Sequence, residues 1–340
     1  AVGVDIGCGM CAVKTSLTDI DDNTRKKIMG EIRKVIPLGR NHQKEAQNVE
    51  LMPTVMITFN HDNEVMDNKF AELYPIVKQE YASALKQLGT LGGGNHFIEI
   101  QKGSDGYIWI MIHSGSRNMG LKVANHYNKL AQELNEKWSS KVPKHWELAF
   151  LPMDSEEGKA YIREMNYCVD FALANRKLMM ERIIEIFDRI ITPYDLDPCI
   201  EFDKMINIAH NYAKMENFFG ENVMIHRKGA TLATKDTIGI IPGNQGAKSY
   251  IVQGKGNHDS FNSCSHGAGR KMSRSEAKKV LNLKEQQKIM NDQNIVHGMR
   301  NIGNLDEAPG AYKDISEVME NQKDLVEVLV ELQPLAGLKG

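Results

Sequence analysis

From residue 155 to 191 the chain carries one unbroken helical pattern. Ile162, Met165, Val169 and Ala172 recur at steps of three and four behind Asp154 and Ser155, both good N-cap types. Residues 66–88, 121–138, 275–292 and 314–332 read the same way. Between these segments lie short apolar runs at 107–112, 223–225, 238–241 and 250–252, bounded by Gly, Pro or Asn and read as strands. The opening run, Ala1-Val-Gly-Val-Asp-Ile-Gly-Cys-Gly9, reads as an internal strand-turn. Helices and strands without a regular βα repeat predict an α/β fold of the mixed, α+β kind. We expect one catalytic domain over 1–340, with 120–200 as a helical subdomain inserted between sheet-rich parts. Residues 40–66, polar and weakly patterned, are expected to form a mobile excursion.

Composition excludes several classes. At 41% hydrophobic and 25% charged residues the chain is globular, not disordered or collagen-like. No run approaches the ~18 apolar residues of a membrane span, and no leader is visible, so a cytoplasmic location is expected. Five cysteines, at 8, 11, 168, 199 and 264, give no disulfide framework, and Cys8-Gly-Met-Cys11 has no second CxxC to complete a zinc site. Reduced thiols are expected. The net charge is −2, yet residues 226–280 carry +7 and the remainder −9, which predicts a local polyanion site.

The candidate chemistry sits at strand ends and in glycine turns. Asp5-Ile-Gly-Cys8-Gly puts a carboxylate and a thiol on one turn, where both can face an ion. Gly92-Gly93-Gly94-Asn95-His96 can bring backbone N–H groups to a phosphate, although no Gly-Lys-Ser/Thr closes it as a Walker A loop. The strand 107–112 runs into His113-Ser-Gly-Ser-Arg117, a candidate ligand followed by a candidate phosphate clamp. His210 adds another imidazole, His226-Arg227-Lys228 gathers donors at a strand end, and His266 lies among small residues that suit a nucleophile or ligand. Asp5, Cys8, His96, His113 and His210 together predict a metal-dependent enzyme acting on a phosphate-bearing substrate. Thiolate and imidazole ligands alone favour zinc over manganese.

These motifs resemble the RtcB family of 3′-phosphate RNA ligases. The resemblance runs through Val4–Gly9, Leu88–Glu99, Ile112–Arg117, Ala209–Tyr212, His226–Ala230, Ser265–Arg270 with Ser273-Arg274, Ala308–Lys313 and Lys339-Gly340. It implies joining of an RNA 3′-phosphate or 2′,3′-cyclic phosphate to a 5′-hydroxyl with GTP and manganese, through a histidine-GMP intermediate on His266. That attack requires a neutral imidazole, so His266 is expected to lose activity when protonated. The resemblance further implies that Asp5, Cys8, His96, His113 and His210 hold two manganese ions, with Cys8 bridging. Asn95 would meet phosphate; Glu99, Ser249, Tyr312 and Lys339 would surround guanine; Ala268 and Gly269 would lie against ribose. Arg117, Arg227 and Lys228 are the expected contacts to RNA phosphates. An archease-type activator is a further candidate partner.

Two departures from the family pattern stand out. A Pro-Gly-Ser-Met-Gly run is replaced by Pro242-Gly243-Asn244-Gln245-Gly246, and the chain reads as N-terminally truncated by some tens of residues. Two rival readings use the same residues. One is a metal-dependent RNA cyclic phosphodiesterase without nucleotidyl transfer; the other is a non-catalytic RNA-binding relative.

Overall fold

The computed structural model describes residues 2–54, 63–192 and 200–340. Its first half runs β1 (Gly9–Lys14), α1 (Asp22–Val35), α2 (Asn63–Leu73), α3 (Pro75–Gln87), β2 (Phe97–Gly103), β3 (Ile108–Ser114), α4 (Arg117–Lys137) and α5 (Glu156–Ile191). Then come β4 (Ile206–Ala209), the hairpin β5 (Asn211–Phe218) and β6 (Glu221–Lys228), β7 (Ala230–Leu232), β8 (Ile238–Ile241), β9 (Ser249–Gly254) and β10 (Ser263–Ser265). The chain finishes with α6 (Arg274–Val280), α7 (Leu283–Asn291), α8 (Ile315–Glu320) and β11 (Val326–Lys339). The expected mixture of helices and sheet is present.

One seven-stranded antiparallel sheet, in the order β4-β1-β3-β2-β11-β9-β8, organises the molecule. Its edge strand β8 comes back into contact with β4 and β1, so the sheet curls until it nearly closes. Side chains alternate across it with period two. Met10, Ala12, Phe97, Trp109 and Met111 turn into the curl, where they meet Ile240, Ile251 and Leu332. Cys11, Val13, Ile98, Ile100, Ile110 and Ile112 turn outward onto Ile28 and Ile32 of α1 and Met179, Ile183 and Phe187 of α5. Burial on both faces explains why 108–112 of the run at 107–112 are continuously apolar, while Tyr107 ahead of β3 is exposed. Each fully buried Ile or Phe there contributes about 1.5–3 kcal/mol.

Helix α5, about 54 Å long, is the platform behind the sheet. Ser155 caps it by accepting from the Gly158 N–H. The described part of 120–200 is thus largely α4 and α5, whose apolar faces join the cores beneath the sheet and α3.

Several expectations need correction. The pattern over 66–88 is two helices, because Pro75 starts α3 and pushes Tyr74 out of helical geometry. The pattern over 275–292 is likewise divided, with Asn282 capping α7. Residues 314–332 are not one helix: α8 ends at Glu320 and Val326 begins β11, the strand that joins β2 to β9. Leu325, Val328, Leu329 and Leu332 fit a helical spacing while Val326, Val328, Val330 and Leu332 alternate as a strand does, and sheet pairing decided between the two. The first strand begins at Gly9, and the described residues before it form turns. Of 40–66, the described residues 40–54 are tied down by Gln43 and Gln47 backbone N–H groups bonded to Lys86 and Leu85 carbonyls, while 55–62 lie outside the described residues. Helix α1 shows how a segment without a singled-out motif is set by its ends: Asp21 accepts from Asn23 and Thr24 N–H groups, and Ile28 and Ile32 face the sheet.

Gly9 has a steric role at the junction of three strands. It pairs with Ser114 of β3 and Ala209 of β4, and a β-carbon there would overlap the Ile208 carbonyl and lie 2.8 Å from Ala209 Cα. We expect Gly9→Ala to cost about 3 kcal/mol, read by urea unfolding. The same variant should lose metal affinity, because His210 follows directly on the displaced Ala209.

Candidate metal centre and nucleotide pocket

Antiparallel register gathers the candidate ligands. Cys8 immediately precedes β1, His96 immediately precedes β2, His113 is the penultimate residue of β3, and His210 follows β4. Met10 and Phe97 both pair with His113, and Gly9 pairs with Ala209, so the starts of β1 and β2 meet the ends of β3 and β4 on one rim. Lys339, at the end of β11, pairs with Phe97 and reaches the same rim.

The five side chains form two groups that share Cys8: Asp5, Cys8 and His96, and Cys8, His113 and His210. His96 Nε2 lies 2.9 Å from Asp5 Oδ2 and 3.5 Å from Cys8 Sγ. His113 Nε2 lies 3.2 Å from Cys8 Sγ and 3.0 Å from His210 Nε2. The far ring nitrogens settle the tautomers. A carbonyl only accepts, so His113 Nδ1 donates to Asn95 O and His96 Nδ1 to Leu91 O, each at 3.0 Å. In a neutral imidazole that leaves a lone pair on Nε2, facing the cluster.

Three buried ligand atoms, His113 Nε2, His210 Nε2 and Cys8 Sγ, therefore meet within hydrogen-bonding distance, with the His113 Nε2 lone pair between the other two. His210 Nδ1 is itself buried without a partner. Burial, with the neighbouring imidazoles, holds His113 well below the usual histidine range. Burial and His266 bring His210 down to about 3, so both rings are neutral, as ligands must be. Burial and then Asp5 push the Cys8 thiol well up, so a thiolate forms there only alongside a cation. For Asp5, burial opposes ionisation, but His96, when protonated on both nitrogens, bonds the carboxylate through Nε2–H and adds its charge, so the carboxyl sits below its ordinary value. This donor set suits divalent cations, and Cys8 is common to both groups.

Beside the cluster lies His266. Its ring centroid is 4.7 Å from that of His210, and it is bonded to the Gly229 backbone. Gly229 has φ +66°, and a β-carbon there would press on His266 Nδ1 and Cε1 at 3.2 Å. Burial lowers the His266 pKa against that bond, keeping the imidazole neutral at pH 7.

A cavity of about 210 Å³ opens from His266 and His113. Asn95, Glu99, Ser249, Ala268, Gly269, Tyr312 and Lys339 all line it. Phe97, Glu99 and Gln101 share one strand face, and Gln101 donates to Glu99 Oε2 at 2.8 Å and to Ser249 Oγ at 3.3 Å. Burial raises Glu99 to about 7, against the pull of Lys339 and Gln101.

Glu307 is the lining residue that the motifs do not reveal. It is buried, bonded to the Tyr312 hydroxyl, and ion-paired with Arg270 at 3.2 Å, Arg274 at 2.8 Å and Lys339 at 3.7 Å. Gln245, from the departing Asn244-Gln245 pair, donates to its backbone carbonyl at 2.7 Å. The one available sequence signal is the basic excess of 226–280, which calls for a buried counter-charge from elsewhere in the chain.

The three expected RNA-contacting residues divide. Lys228 is exposed. Arg117, largely buried with φ +57°, bonds Thr90 Oγ1 and the Gly39 carbonyl and lies near Asp5. Arg227 corrects the expectation: it is 1% exposed, paired with Glu216, and bonded to Ser263 Oγ and the Phe261 carbonyl, so its guanidinium is committed inside the protein. The described cysteines 8, 11, 168 and 264 are free and buried, in keeping with reduced thiols, and Cys199 lies outside the described residues. No described helix is long and apolar enough to cross a membrane.

Comparison with known proteins agrees with the motifs over the whole length. A family model described as tRNA-splicing ligase RtcB matches residues 1–340. The RNA-splicing ligase RtcB of Escherichia coli K12 is 39% identical over 352 aligned residues, covering 100% of this chain and 83% of that protein. The tRNA-splicing ligase RtcB of Methanococcus maripaludis is 31% identical, covering 100% of this chain and 81% of its own length. With a matching family model from end to end and relatives above 30% identity across the full chain, this protein belongs to the RtcB family.

Proposed function

We propose that this chain is an RNA ligase that joins an RNA 3′-phosphate or 2′,3′-cyclic phosphate to a 5′-hydroxyl, using GTP and two manganese ions through a histidine-GMP intermediate on His266. The carrying observation is that a neutral His266 borders both the five-ligand cluster and the cavity lined by the residues expected to hold GTP. Asp5, Cys8 and His96 would hold one ion, and Cys8, His113 and His210 the other. Bound there, the ions supply charge neutralisation to the phosphates and help align displacement.

The protein's own groups do the rest. The Gly229 backbone holds one ring nitrogen of His266, leaving the other with its lone pair for the α-phosphorus of GTP. A nitrogen–phosphorus bond forms as the bond from the α-phosphorus to the bridging oxygen breaks, and pyrophosphate leaves. GMP then passes from His266 to an oxygen of the RNA 3′-phosphate. The 5′-hydroxyl attacks that phosphate, loses its proton, and displaces GMP. A 3′-phosphate alone is a poor electrophile, and guanylylation gives it a leaving group. A cyclic end is first opened by water.

Glu99 accounts for the base. Its carboxylate can accept from guanine N1–H and N2–H₂, a pairing adenine does not offer. Ser249, Tyr312 and Lys339 surround the guanine, Ala268 and Gly269 meet the ribose, and Asn95 meets phosphate. Lys228 and Arg117 are the remaining candidates for RNA phosphates. A cytoplasmic location and an archease-type activator belong to the same proposal and rest on the family resemblance alone.

A Glu99 carboxyl at about 7 makes recognition sensitive to pH. Protonation removes the acceptor, so GTP affinity should fall as pH drops through that value, by up to about tenfold per unit below it. Calorimetric titration of GTP across this range should show the slope in the wild type and a flat profile in Glu99→Gln. A sloping Glu99→Gln profile assigns the titration elsewhere.

The function is tested by incubating the protein with manganese and GTP labelled at the α-phosphate, then adding RNA with 3′-phosphate and 5′-hydroxyl ends. An acid-labile covalent label that is discharged as joined RNA appears is the expected result. Cyclic-phosphate opening with no label would favour the phosphodiesterase reading, and neither activity would favour an RNA binder.

A further inference from the structure

Arg176 of α5 is 0% exposed, and among the described residues its hydrogen-bond partners lie on segments that carry the cluster ligands. Nη1 donates to the Gly7 carbonyl at 2.9 Å and the Ser114 carbonyl at 2.8 Å; Nε donates to Asn207 Oδ1 at 2.7 Å. Gly7 adjoins Cys8, Ser114 adjoins His113, and Asn207 stands three residues before His210. Asn207 is itself anchored back to α5 by a 3.0 Å bond to the Leu173 carbonyl. The neighbouring Asn175 serves the fourth segment: its Oδ1 accepts from Gly89 and Thr90 N–H groups at 2.7 and 3.2 Å, at the entry to the glycine turn that ends in His96.

Gly7 shows how tightly this turn sits on the helix. With φ +73°, it leaves a β-carbon position only 2.9 Å from Ala172 Cβ and from Val169 Cα. The loop before Cys8 therefore rests directly on α5.

The charge of Arg176 is equally informative. A buried guanidinium ordinarily faces a carboxylate, yet Arg176 has no ion pair among the described residues and its Nη2 is buried without a partner. The anionic or potentially anionic groups acting on it are Cys11, Cys8 and Asp5. Cys11 faces the apolar layer between the sheet and α5. Cys8 and Asp5 belong to the cluster.

We propose that Arg176 is the positioning residue of the metal centre, its guanidinium setting the spacing of Cys8, His113 and His210 and providing the fixed positive charge that opposes the bridging thiolate. This rests on the metal-binding reading above. Small displacements of such supporting groups typically weaken metal affinity by ~10–100-fold. A lysine keeps the charge but cannot reach three acceptors in one plane.

The test titrates Co²⁺ into the chelator-treated full chain and follows sulfur-to-cobalt charge-transfer absorption, with circular dichroism as the folding control. Arg176→Met should bind Co²⁺ ~10–100-fold more weakly, with a weakened or displaced thiolate band. Arg176→Lys should recover part of the affinity without restoring the band, and carries the test alone if Arg176→Met does not fold. Phe171→Leu, a core substitution on the same helix, should lose stability yet keep wild-type affinity and absorption. Wild-type affinity and absorption in the Arg176 variants overturn the proposal, as does an equal loss in Phe171→Leu. A wild-type chain that takes up no Co²⁺ overturns the metal reading itself, and this inference with it.

Discussion

His266→Ala protein is expected to fold, to retain manganese, and to carry no label from α-phosphate-labelled GTP. The imidazole touches the site without belonging to either ligand group, and its bonded contact is with the Gly229 backbone. Losing that bond costs about 1 kcal/mol, too little to unfold a chain of this size. Removing the attacking atom is a different matter. Among the described residues the other imidazole lining the cavity, His113, has its free nitrogen engaged by Cys8 and His210, so covalent transfer and RNA joining should fall by ~10³-fold or more. Metal content measured on the same sample separates loss of the nucleophile from loss of the centre. A His266→Ala protein that still becomes labelled would move the nucleophile to another residue.

Cys8→Ala should have the larger effect on metal, because Cys8 is the one member common to both groups. Removing its sulfur takes a ligand from each ion at once, and the purified variant should hold little manganese by elemental analysis. Its fold should persist. In the metal-free protein its loss removes one weak thiol hydrogen bond to His113 Nε2 at 3.2 Å and leaves a small cavity, a cost of about 1–2 kcal/mol. A bound ion at a hundredfold excess over its dissociation constant stabilises the folded state by about 2.7 kcal/mol. Wild-type protein should therefore melt at a higher temperature with manganese than with chelator, and Cys8→Ala should show no such difference. Undiminished metal content would contradict the ligand assignment.

Each candidate ligand was legible because its signal is local. A cysteine or histidine beside a glycine turn at the end of an apolar run can be recognised from a few residues, and the cluster assembles those five side chains. Distances across the chain were not legible. Arg227 and Lys228 are adjacent, and a strand sends neighbours to opposite faces; only the pairing of β5 with β6, and the place of Glu216 beside them, decided that Arg227 goes inside and Lys228 outside. Glu307 could not be singled out, since an isolated carboxylate has no spacing to read, and its role comes from Arg270, Arg274 and Lys339 converging on it. The same limit applies to 314–332, where Leu325, Val328, Leu329 and Leu332 fit a helical spacing, Val326–Leu332 alternates as a strand, and hydrogen bonding to β2 and β9 selected the strand.

Residue types alone determined the chemistry available to this protein: imidazoles, a thiol and a carboxylate held in flexible turns, a histidine among small neighbours, and a basic stretch for anions. The tertiary structure alone decided which of these act together. Antiparallel register brought four strand ends to one rim, and α5 placed a single buried arginine against the segments behind three of the ligands. Local sequence specifies torsions and donor atoms, whereas proximity between residues a hundred positions apart arises only when burial and backbone pairing satisfy the whole sheet at once.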